Sequence, residues 1–180
     1  QDLFTINYGI NFNRIFTNTE LLGNLCFISK GMVLNSDENS AKGEFKKADL
    51  ISKTKDTIHN KKYVQAECIS RYRLKKTWYL EWGTERVPNK ISRKTFPEMY
   101  DVKKLIRGRT TDAILDDGKL ICNEGCMLIV PFYSLKGVEN TSIKNSIKKW
   151  GDLSRHDLEK NSEKFDLKFL LAIINSKFAK

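Results

Sequence analysis

Proline is scarce in this chain: three residues in 180, at positions 88, 97 and 131. An Asn-Pro-Pro-aromatic strip, the device that grips the amino group of a flipped base, therefore cannot be present, and no glycine-rich turn suited to phosphate or nucleotide binding is found either. Only two histidines occur, His59 in DTIHNKKY and His156 in SRHDLEK, and neither sits in a recognisable nucleophile context. We expect no catalytic residue. His59, next to Lys61 and Lys62, reads as a phosphate neighbour, and His156 as a solvent-facing helix residue. No apolar run approaches the roughly 20 residues of a membrane span, so no membrane association is expected. The opening QDLFTINYG has no basic n-region and no long apolar stretch. We expect no signal peptide there, and we read the chain as a piece excised from a longer protein.

Cysteines are few as well. Cys26, Cys68, Cys122 and Cys126 could form two disulfides, but a chain of this length has core enough without them, and free thiols in a reducing cytoplasm are expected. CNEGC at 122–126 spaces two thiols for zinc, yet no second paired motif supplies the other ligands. We read these two as small buried hydrophobes on a hairpin, and expect no metal. A magnesium nuclease needs clustered carboxylates near a lysine. Asp37 with Glu44-Phe45-Lys46 has that loose pattern, as 22 acids and 32 bases would produce by chance. A nuclease and a basic protein-interaction module stay open as alternatives.

What is abundant is positive charge. The net charge is +10, the mean hydropathy −0.47, and residues 53–109 hold sixteen Lys and Arg against six Asp and Glu, so the middle third carries the whole excess. A surface of this kind attracts polyanions and gains from counterion release. In that stretch Lys61, Lys62, Arg71, Arg73, Lys75 and Lys76 are interleaved with Tyr63, Tyr72, Trp78, Tyr79 and Trp82, a composition suited to phosphate and base contacts. Arg86, Arg93, Lys94, Arg107 and Arg109 complete the candidate DNA-binding set. Arg71, Arg73 and Arg86 are the candidates for base contact, because a guanidinium grips guanine bidentately. For Arg86 an internal pair with Glu81 or Glu85 is an equally good reading.

The pattern predicts a half-buried strand over 3–8 and a mostly apolar segment over 21–28 that breaks at Gly31. A polar loop follows at 35–43, then a short element at 44–51. TWYLEW at 77–82 is the best strand candidate of the middle region. Residues 104–107, 113–115, 120–122 and 127–132 read as short strands of a meander, with Asp116-Asp117-Gly118 as a hairpin turn. Helices are expected at 141–150, from a cap at Asp152 or Ser154 to about Asn161, and after Asp166. Apolar residues cover most of the last helix, which is expected to be buried on several sides or to pack on a part of the parent protein outside this chain. The inference is one α+β domain over residues 1–180, strands first and helices last.

The ordered blocks LLGNLCFISKGMVLN (21–35), EFKKADLIS (44–52), HNKKYVQAECISRY (59–72), YLEWGTERVP (79–88), TFPEMYDVKKLIRGR (95–109), VENTSIKNSI (138–147) and LEKNSEKFDLKFLLAIINSKFA (158–179) have a familiar order. They resemble the C-terminal specificity domain of TaqI-like DNA adenine methyltransferases, in the branch found in fused restriction–methylation enzymes of the Eco57I type. The resemblance implies a bacterial, cytoplasmic target-recognition domain with an irregular β-rich body followed by helices, facing the major groove of double-stranded DNA. It also implies an N-terminal methyltransferase domain of the same polypeptide that holds S-adenosylmethionine, leaving no cofactor in this chain. Base-reading residues vary between members of such a family, so the site candidates rest on the charge pattern.

Overall fold

In a computed structural model, residues 19–35, 44–109, 112–150 and 153–176 are described. The strand expected over 3–8 lies outside them, as do Asp37 and most of the loop at 35–43. The architecture is mixed α+β, with several sheets and helices towards the C-terminus.

Alternation of side chains builds the first sheet. Its antiparallel strands run in the order β1 (Cys26–Lys30), β10 (Met127–Pro131), β7 (Lys103–Arg107), β8 (Ala113–Asp117). Successive residues point to opposite faces. Phe27, Ile106, Ile114, Leu128 and Val130 thus enter one core, while Cys26, Leu105, Ala113 and Ile129 enter another. Both faces are apolar, which is why MLIVP in the middle of the sheet is a nearly unbroken apolar run.

The second sheet has the order β2 (Ile51–Ser52), β6 (Trp78–Glu81), β3 (His59–Val64), β9 (Leu120–Cys122). Here β9 lies parallel to β3, with Lys62 opposite Leu120 and Tyr63 opposite Ile121. The meander expectation is corrected by this pairing. β7 and β8 do form a hairpin, but the Asp116-Asp117-Gly118 segment carries the chain out of the first sheet and into the second. The reason is local. The Asp116 carboxylate is turned inward, accepting from the backbone N–H groups of Lys119 and Leu120 and from the ammonium of Lys104, and Gly118 takes a positive φ of 80° beside the Asp101 carbonyl. All three residues of β9 are buried in its place beside β3. Cys122 and Cys126 therefore flank a crossing between sheets rather than a hairpin.

Lys104 is fully buried in β7. Its Nζ donates to the Tyr100 carbonyl at 2.7 Å as well as to Asp116, which ties the strand, the turn and the short helix α2 (Glu98–Asp101) together. The charge is thus compensated, as a buried ammonium requires. Another short helix, α1 (Leu22–Leu25), leads into β1.

Three helices close the described chain. α3 spans Thr141–Trp150, and α4 spans Arg155–Ser162 behind Ser154, whose hydroxyl accepts from the Asp157 N–H. α5 spans Leu167–Ile174 behind Asp166, whose carboxylate accepts from the Lys168 N–H. Capping of these orphan N–H groups was legible from the sequence. Burial of α5 was not. Leu167, Leu170 and Leu171 press on the second face of the first sheet, with Ile174 beside them, but Phe169 is 55% and Ile173 43% exposed. The buried residues follow i, i+3, i+4, i+7 spacing, a single stripe, and the sheet covers only that stripe. At the helix end, Asn175 accepts from the Ala113 N–H at 2.8 Å and donates to the Ala113 carbonyl at 3.0 Å, fastening α5 to the start of β8. Among the described residues, no helix is long and apolar enough to cross a membrane.

Candidate nucleic-acid interface

A two-residue turn, Arg71-Tyr72, joins β4 (Ile69–Ser70) to β5 (Arg73–Leu74). Ile69 is buried, Leu74 packs on the larger core, and the Lys75 N–H donates to the Cys68 carbonyl at 2.8 Å, extending the pairing past the ladder. The hairpin also docks on the end of β7. Gly108 makes this possible, because a Cβ there would lie 2.8 Å from the Ala66 carbonyl oxygen and 3.3 Å from Ile69 Cβ. The tip is fastened by the Tyr72 N–H, which donates to the Ala113 carbonyl at 3.1 Å. Ala113 is the ladder partner of Arg107, so Arg107 lies near the hairpin tip. Arg109 lies nearby, its Nε 3.4 Å from where a Cβ on Gly125 would stand.

From residue 68 to residue 80 there are four cations and no acid. Arg71, Arg73, Lys75 and Lys76 are all exposed. Lys76 leans over the Trp78 ring, 3.9 Å from its centroid, a contact that orders the ammonium without neutralising it. Tyr72 has φ +60°, a conformation that costs a non-glycine residue roughly 1–2 kcal/mol. Its ring is 56% exposed. The structure thus sorts the interleaved aromatics: Tyr63 is buried, Trp78, Tyr79 and Trp82 are half-buried, and Tyr72 stands out into solvent.

Lys61 and Lys62 occupy a different place. Together with Lys55, Asn60, Tyr79 and Lys119 they line a groove of about 310 Å³ on the second sheet, closed by Tyr100, Asp101, Gly118 and Ile121. Lys61 also lies 5.9 Å from the Trp82 ring centroid. Four lysines and one acid line it, so the groove is basic. Sequence reasoning missed Lys119. It lies outside the basic middle third and arrives through the parallel pairing of β9 with β3, for which no local signal exists.

The remaining candidates separate further. Arg86 is held by Glu81, which is only 3% exposed, through Nη2–Oε2 at 2.7 Å and Nε–Oε1 at 2.9 Å, so of its two readings the internal pair is the one seen. Glu81 also accepts from the Thr84 hydroxyl at 2.6 Å, and the Arg86 and Thr84 hydrogen bonds keep its carboxyl below the ordinary range against the opposing effect of burial. Arg93 pairs through its backbone with Val33 and lines, with Phe27, Ser29, Lys30, Ser142 and Lys149, a second groove of about 690 Å³ between β1 and α3. Lys94 is exposed beside it. The ring Nδ1 of His59 lies 2.8 Å from Asp56, whose carboxyl is held low by the His59 backbone N–H and ring. His156 is exposed on α4.

All four cysteines are free and buried. Burial pushes the Cys26 thiol up to about 12, and Cys122, beside Cys126, is raised well above its ordinary value for the same reason. Among the described residues, no three His, Cys, Asp or Glu side chains converge as metal ligands. Glu44 is engaged by Lys90 at 3.6 Å. The surface therefore carries two exposed cationic elements, hairpin and groove, with a third around Arg93. The sequence matches no family model, and no curated protein is significantly similar to it.

Proposed function

We propose that this chain is a sequence-specific double-stranded DNA-binding module, the target-recognition domain of a bacterial restriction–modification adenine methyltransferase, and that it catalyses nothing by itself. The observation that carries the reading is the β4–β5 hairpin, four exposed cations without an acid, fastened to the first sheet through the Tyr72–Ala113 hydrogen bond. Ion pairs within the described part of residues 53–109 use Arg86, Lys90 and Lys104, and the hairpin cations stay exposed. The lysine groove offers a second place for backbone phosphate, with Lys61 and Lys62 joined by Lys55 and Lys119.

In this reading Lys75, Lys76 and the groove lysines position the duplex, and Arg71 and Arg73 read base edges, where a bidentate guanidinium discriminates guanine. S-adenosylmethionine and the target adenine belong to an N-terminal methyltransferase domain of the same polypeptide, in the cytoplasm. Titration of random-sequence duplex at several salt concentrations tests the reading. Binding should be tight at low salt, and changing Arg71, Arg73, Lys75 and Lys76 to Gln should flatten the log–log salt slope by about 0.9 for each phosphate that is no longer neutralised. An absence of duplex binding at low salt would sink it.

A further inference from the structure

Tyr72 is placed as a tool rather than as filler. Its neighbours in sequence, Arg71 and Arg73, are exposed cations, and its ring is more than half exposed, whereas Ile69 on β4 is buried and its ladder partner Leu74 half-buried. The positive φ turns the side chain away from the path an ordinary residue would take, in a position where Gly or Asn is the usual occupant. Strain of this kind persists only where the surroundings impose it, and they do: the Tyr72 N–H is bonded to Ala113, and the hairpin root is clamped between Cys68, Ala66 and Gly108. The result is an aromatic ring held at a fixed height on a narrow two-stranded ribbon, with cations on both sides to approach phosphates. A two-stranded ribbon is of a size that a DNA groove admits.

Resting on the reading of this chain as a duplex-DNA binder, we propose that Tyr72 is a wedge: the β4–β5 hairpin enters a groove and the Tyr72 ring inserts against a base step, partly unstacking it. Apolar or aromatic wedges of this kind untwist and kink the duplex, and the cost falls on flexible pyrimidine–purine steps least. The wedge therefore adds a preference for deformable steps to whatever Arg71 and Arg73 read directly.

The test uses the full chain and relaxed closed-circular plasmid. Protein is bound, topoisomerase I removes the torsion, and the deproteinised topoisomers are resolved. Wild type should shift the linking number in proportion to bound protein. Tyr72→Ala should lose about tenfold or less in duplex affinity in a parallel titration, and abolish the shift. Tyr72→Gly relieves the backbone and should melt no lower than wild type while giving the same loss of shift, which separates insertion from folding. Tyr72→Phe should retain it. If wild type binds and the alanine variant shifts topoisomers equally, the wedge is wrong and the duplex reading stands. If wild type binds single strands in preference to duplex, or binds no DNA, both fall.

Discussion

Arg86 and Glu81 face each other in a two-pronged contact in which the carboxylate is buried and the guanidinium reaches it from the surface. Such a pair acts on stability rather than on ligand choice. Arg86→Ala should leave the Glu81 carboxylate without its charged donor and cost about 1–3 kcal/mol in urea titration. Duplex affinity, measured where the variant is folded, should stay within about twofold, a difference of roughly 0.4 kcal/mol. A selective loss on one DNA sequence would return Arg86 to the base-reading set.

The same pair sets an acid limb. Because the Glu81 carboxyl is held below its ordinary value of 4.5, its contribution is present in full above that value and disappears as pH falls through the lower, folded value. Glu81→Gln should therefore melt below wild type near neutral pH, and the gap should close on acidification below the ordinary carboxyl range. Thermal melts across that range check it, and a gap independent of pH would contradict the assignment.

Lys104 and Asp116 predict a larger effect. Removing one member of a buried pair leaves the other charge stranded, and Lys104→Met should cost about 3–5 kcal/mol. Adding Asp116→Asn removes the stranded charge while keeping a side-chain acceptor for the turn. The double variant should regain part of the loss. A double-mutant cycle in denaturant gives the coupling directly, and full additivity would mean that the pair holds nothing.

The helix α5 separates into two faces. Leu171→Ala should cost about 2–5 kcal/mol, as a large-to-small change in a core does, because Leu171 sits among Leu105, Ala113 and Ile129. Phe169→Ala, on the exposed face, should stay within about 0.5 kcal/mol. Equal losses from the two changes would mean that the exposed face is covered after all.

Periodicity and capping made much of this fold readable. TWYLEW contains β6, the run MLIVP is β10, and Ser154 and Asp166 cap their helices because short polar side chains before apolar periodic segments satisfy orphan N–H groups. What could not be read was pairing at a distance. Asp116-Asp117-Gly118 has the composition of a hairpin turn, but the buried Lys104 pulls Asp116 inward and the next strand finds β3 instead. The same limit hid Lys119 in the lysine groove. Charge counting pointed to the middle third of the chain without telling Lys104, which is core, from Lys76, which is surface. The positive φ of Tyr72 left no trace either, since nothing in SRYRL distinguishes it from an ordinary strand.

The β4–β5 ladder pairs Ile69 with Leu74 and Ser70 with Arg73, whereas the groove needs Lys62 beside Leu120. One is closed by neighbours in sequence and the other by a strand from beyond the basic region. Substitution at the tip thus leaves both four-stranded sheets intact, while a change in the groove disturbs the junction between β3 and β9. The hairpin is the part of this surface that is free to diversify, and the groove is the part obliged to remain as it is.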